Sequence, residues 1–79
     1  MITLKEFIAK TYWSCKVAVI LANEPRRKGD MTLKQVKEWA LFYGIADDLH
    51  SGDYDYLSAE VSGFGVINGR LVIEIEYDI

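Results

Sequence analysis

The sequence predicts an α+β fold in which two helices pack on one face of a small sheet of about three strands, in the order α-β-α-β-β. Three observations carry the prediction. The chain ends in two apolar runs, residues 61–67 and 70–77, separated by Asn68-Gly69. That dipeptide between alternating apolar residues signals a two-residue hairpin turn, because both central positions need positive φ. Twice, a Thr followed three residues later by Glu or Gln precedes apolar residues at helical spacing, which is the signature of a capping box. Between the two lies Lys16-Val-Ala-Val-Ile-Leu-Ala22, β-branched and apolar on both faces, as a protected strand would be.

Counting outward from the turn pairs Ile67 with Arg70, Val66 with Leu71, Gly65 with Val72, Phe64 with Ile73, Gly63 with Glu74 and Ser62 with Ile75. Successive residues alternate between faces. One face then carries Phe64, Val66, Leu71, Ile73, Ile75 and Tyr77 and is expected to be core. The other carries Gly63, Gly65, Val72, Glu74 and Glu76 and is expected to be outside.

The first helix starts at the Thr3 cap with Glu6 closing the box, and its apolar stripe is Leu4, Phe7, Ile8 and Tyr12. Asn23 to Asp30 reads as a loop punctuated by Pro25 and Gly29, with Arg26, Arg27 and Lys28 as a basic tip. The second helix starts at Thr32 with Gln35. Its stripe is Leu33, Val36, Trp39, Ala40 and Tyr43, and Gly44 is placed as the left-handed residue that ends it. Ala46 to Glu60 is an acidic connection with a helical turn near Asp47 to His50 and an extended approach to the hairpin through Tyr54 and Tyr56. The pattern leaves open which hairpin arm the first strand joins.

The 79 residues make a single domain, 1–79, close to the size at which one core just suffices. An apolar fraction of 51% argues against a disordered chain. The longest wholly apolar run, residues 17–22, is far shorter than the ~20 residues that span a bilayer. With no signal-peptide pattern at the start, a cytoplasmic location in the host cell is expected. The single cysteine, Cys15, excludes an intrachain disulfide and reads as a small buried thiol.

Net charge is −3, unevenly divided. Residues 1–43 carry eight Lys/Arg against four Asp/Glu, and residues 44–79 carry one Arg against eight Asp/Glu. A pI of about 5.0 speaks against a general nucleic-acid binder, which would show a basic face. Asp47, Asp48, Asp53, Asp55 and Glu60, interleaved with Tyr54, Tyr56 and His50, form the most distinctive polar stretch. Asp53-x-Asp55 begins like a calcium loop, but its sixth position is Ser58 and its twelfth Phe64, where Gly and Glu are required. No nucleophile accompanies the carboxylates, and His50 has no second His or Cys beside it. No catalysis, cofactor or metal is therefore expected. Asp47, Asp48, Asp53, Tyr54, Asp55, Tyr56 and Glu60 are instead expected to form a patch that docks on a basic protein groove, in competition with solvated acidic loop as the plain alternative. Arg26, Arg27 and Lys28, and the outer hairpin face around Gly63 and Gly65, are a secondary interaction surface. Glycines inside a strand often mark a place where another element or a second copy comes close, so a homodimer is a further expectation.

Met1-Ile-Thr-Leu-Lys-Glu-Phe-Ile8 and Val66-Ile-Asn-Gly-Arg-Leu-Val-Ile-Glu-Ile75 resemble the two ends of short proteins encoded by phages and prophages of Gram-positive bacteria. The resemblance covers about a quarter of the chain. It implies a mobile-element accessory protein, a class that includes anti-CRISPR inhibitors that bind a host nuclease directly. The expected function is thus a non-enzymatic protein-binding inhibitor blocking the nucleic-acid channel of a defence nuclease. The alternative is a small self-associating module using the outer hairpin face.

Overall fold

The computed structural model describes residues 2–22 and 32–77. Three short helices and a four-stranded mixed sheet alternate as α1 (Leu4–Ala9), β1 (Lys16–Leu21), α2 (Leu33–Trp39), β2 (Phe42–Ile45), α3 (Ala46–Ser51), β3 (Glu60–Ile67) and β4 (Arg70–Glu76), with a 3-10 turn at Asp55–Ser58. The sheet order is β2-β1-β4-β3. The α+β class holds; the sheet gains a strand, β2, and the acidic connection gains a full helix, α3. No helix among the described residues is long and apolar enough to cross a membrane.

Both capping boxes form. Thr3 accepts from the Glu6 N–H while Glu6 accepts from the Thr3 N–H, and Thr32 and Gln35 do the same. The hydrogen bond from the Thr3 backbone, first among several favourable contacts, holds the Glu6 carboxyl below its usual range. In the hairpin, Asn68 and Gly69 take φ of 49° and 82°, as a turn of this kind requires. The five pairs from Ile67↔Arg70 to Gly63↔Glu74 stand in the counted register, after which a bulge at Ser62 lets Val61 rather than Ser62 face Ile75.

The order of the strands resolves the question the pattern left open. β1 runs parallel to β4, with Val17 opposite Leu71 and Val19 opposite Ile73, and antiparallel to β2. It is therefore central, which explains why Val17 to Ile20 are all fully buried.

The helices lie on both faces of the sheet, not on one. Val17, Val19, Ile73 and Ile75 pack with Leu4 and Ile8 of α1 and Leu49 of α3. Ala18, Ile20 and Val72 pack with Val36 of α2. The alternation of β1 forces this split, because a strand apolar on both faces needs cover on both. Val72, expected outside, is buried for that reason. Phe64 and Val66, expected as core, are 67% and 70% exposed, because the segment leading into α1 lies along the start of β3, at Glu60 and Val61, and not along its hairpin end. The Phe7 ring lies against that of Phe64, centroid to centroid at 5.1 Å.

The α2 stripe also ends early. Trp39 is the last helical residue, Ala40 is extended, and Tyr43 and Gly44 belong to β2. Gly44 lacks positive φ; its bare Cα lets the Phe42 ring lie across it, a Cβ there meeting the ring at 3.0 Å. Cys15 is half-buried rather than buried. Arg70 closes the end of the sheet, donating to the carbonyls of Val17 at 2.6 Å and Gly44 at 2.9 Å while its guanidinium lies 3.8 Å from the Tyr43 ring centroid.

Candidate functional site

The elements that carry the expected acidic patch meet on the α1/α3 side of the molecule. Helix α3 has no capping side chain before it: Ile45 stands at that position. Its first two donors are satisfied from elsewhere, the Ala46 N–H by the Cys15 carbonyl and the Asp47 N–H by the Trp13 carbonyl, each at 2.9 Å. This is why the helix start was not legible from local sequence. It also fixes Trp13 against the first turn of α3.

Asp47 and Asp48 lie exposed in that first turn, where the helix dipole favours acidic side chains. His50 is exposed on the same helix and borders two shallow hollows. One, of about 150 Å³, is shared with Ile8, Thr11, Trp13 and Asp47. The other is shared with Thr3, Lys5, Asp53, Tyr54 and Asp55. Glu60 is exposed at the start of β3, bridged to Thr3. Of the five acidic residues, Asp47, Asp48, Asp53, Asp55 and Glu60, Asp47 lines the first hollow and Asp53 and Asp55 line the second, with His50 common to both. Among the described residues none of these five carboxylates makes an ion pair.

The two tyrosines of the stretch belong to a row of rings. Tyr54 and Tyr56 stack with ring centroids 5.1 Å apart, Phe42 abuts Tyr54 at 5.7 Å and Tyr77 abuts Tyr56 at 6.2 Å. The row ties the 3-10 turn to the sheet. Tyr56 is half-buried and its hydroxyl donates to the Leu41 carbonyl at 3.2 Å. Burial, with a smaller contribution from the neighbouring Tyr54, pushes that hydroxyl up to about 12. Gly52 is required here because any side chain would collide with the Tyr54 ring. The Tyr56 hydroxyl is thus spent inside the fold, while Tyr54 stays 37% exposed.

Two further aromatic residues face solvent that the sequence pattern did not offer as a site. Tyr12, placed in the α1 stripe by spacing, lies beyond the end of the helix and is 84% exposed, and Trp13 is 67% exposed. They form a knuckle where α1 gives way to β1, beside Asp47 and His50. The signal available in the sequence was the end of the helical pattern at Tyr12 itself: once the helix stops, the spacing no longer assigns a face.

Of the secondary surface, Arg26, Arg27 and Lys28 lie outside the described residues. Gly63 and Gly65 line a shallow groove with Phe64, Ile67, Val72 and Glu74. Among the described residues no three His, Cys, Asp or Glu side chains converge as metal ligands would. No family model, curated protein or solved structure matches the chain.

Proposed function

We propose that the protein is a non-enzymatic inhibitor that binds a protein partner, seating the Tyr12-Trp13 knuckle and the acidic residues of the α3 side on a basic, nucleic-acid-binding surface. The observation that supports it is an exposed Tyr-Trp pair hydrogen-bonded through the Trp13 carbonyl to a helix whose carboxylates have no ion-pair partner among the described residues. Trp and Tyr dominate interface hot spots. A partner arginine or lysine can stack on such rings and pair with Asp47 or Asp48 at the same time. The resemblance of the chain ends to phage accessory proteins makes a host defence nuclease the partner class to test first.

The test measures inhibition of DNA cleavage by a panel of CRISPR nucleases. Trp13→Ala is expected to weaken a sensitive pair by about 2 kcal/mol, roughly thirtyfold. The combined D47N, D48N, D53N and D55N change should abolish inhibition and, before that, its dependence on salt. Unaltered inhibition by the neutralised protein, with its circular dichroism intact, would sink the electrostatic reading. A second reading, a self-associating module, is favoured by the exposure of Phe64 and Val66 on β3.

A further inference from the structure

We infer that two copies of this chain pair through the open edge of β3, antiparallel and two-fold symmetric about Gly65. β3 ends the sheet, so one side of its backbone faces away from β4. The first part of that side is already occupied: the Val61 N–H donates to the Ile2 carbonyl at 2.9 Å and the Leu4 N–H to the Ala59 carbonyl at 2.8 Å. Among the described residues no other backbone bond is made along that edge, which leaves Gly63 to Ile67 open. No charge or proline blunts these five residues, although edge strands usually carry one or the other.

The backbone pattern selects the register. In an antiparallel pair, hydrogen-bonded and non-bonded positions alternate. Counted from the Ile67↔Arg70 pair that closes the two-residue turn, the bonded positions are Ile67, Gly65 and Gly63. Phe64 and Val66 therefore turn their N–H and C=O groups to the open edge. A register centred on Gly65 sets Phe64 of each copy opposite Val66 of the other, so all of these groups bond.

The side chains agree with the same register. On one face the exposed Phe64 ring lies beside the second copy's Val66, an aromatic and β-branched pair of the kind that stabilises sheets. On the other face Ile67 lies beside the second copy's Gly63. The glycines then have a use that the single chain does not supply. Neither has positive φ; a Cβ at Gly65 would meet nothing within 4 Å, and one at Gly63 only the Glu74 Oε1 at 3.8 Å. Glu60 falls beyond the overlap, so no like charges oppose. Being symmetric, the contact closes as a dimer and does not propagate.

The experiment uses a Cys15→Ser background. Residues directly opposite at a non-bonded position have Cα atoms about 4.5 Å apart, within reach of a disulfide. Gly65→Cys is expected to give a disulfide-linked dimer on mild oxidation, while the exposed control Ser14→Cys stays largely monomeric. Without added cysteine, light scattering across a dilution series should show a dimer at high concentration. Val66→Lys, at a position 70% exposed in the single chain, should keep the circular dichroism spectrum and return the mass to monomer. A monomer at every concentration would overturn the inference. So would a dimer that Val66→Lys leaves intact, or in which Gly65→Cys links no better than Ser14→Cys.

Discussion

At the scale of single residues, the aromatic side chains divide by what their polar ends do. The Tyr56 hydroxyl is spent on the Leu41 carbonyl, and burial raises it to about 12 from the usual 10.0. A tyrosine whose proton is held more tightly in the folded state contributes stability that is intact below about pH 10 and is lost as pH rises toward about 12. The folded protein should therefore lose stability across that window, and Tyr56→Phe should lose less. Urea midpoints for both proteins at successive pH values make the comparison; parallel curves would dismiss the role given to Tyr56. Tyr12 and Trp13 carry no such internal duty, which is what makes them available to a partner. Their exposure was hidden in the sequence because Tyr12 sits at a spacing that would continue the stripe of α1. Only the turn after Ala9, with the Lys10 and Thr11 N–H groups folded back on α1, removes it from that face.

At the scale of elements, local rules were legible wherever they rest on neighbouring residues. Both capping boxes and the Asn68-Gly69 turn form from residues within three positions of each other. What was not legible depends on partners far along the chain. The segment Phe42-Tyr43-Gly44-Ile45 satisfies a helical period as well as a strand period, and only its pairing with Val19 to Lys16 decides for the strand. In the same way α3 starts on carbonyls of Trp13 and Cys15 instead of on a cap of its own. Of the candidate site, the acidic residues were legible by composition, whereas the aromatic knuckle beside them was not.

The glycines test this element-level account. Gly44→Ala is expected to destabilise, since its Cβ would press on Phe42 at 3.0 Å inside the β1/β2 pair. Gly65→Ala meets open space at an ordinary φ and should be neutral or stabilising by about 0.4–1 kcal/mol through a less flexible unfolded chain. Thermal melts under dilute conditions separate the two. An equal loss at both positions would mean that β3 is as tightly enclosed as β2.

At the scale of the whole molecule, the sheet serves two small cores at once. Leu4, Ile8 and Leu49 cover one face, and Val36 with Trp39 covers the other. Neither cluster is large enough to hold the sheet by itself, since a chain of this size has little stability to spare. The strands between them are shared: β1 presents Val17 and Val19 to one core and Ala18 and Ile20 to the other. Damage on one face must therefore reach the other through β1. Ile73→Ala removes a fully buried side chain from the α1/α3 core and should cost about 2–5 kcal/mol. In a Trp13→Phe background, Trp39 fluorescence reports only the α2 face, while far-ultraviolet circular dichroism reports all elements. Ile73→Ala should lower the denaturant midpoint of both signals together, because the Trp39 face loses its sheet when the opposite core fails. If the dichroism midpoint falls while the Trp39 midpoint stays, the two faces are separate folding units and β1 does not couple them.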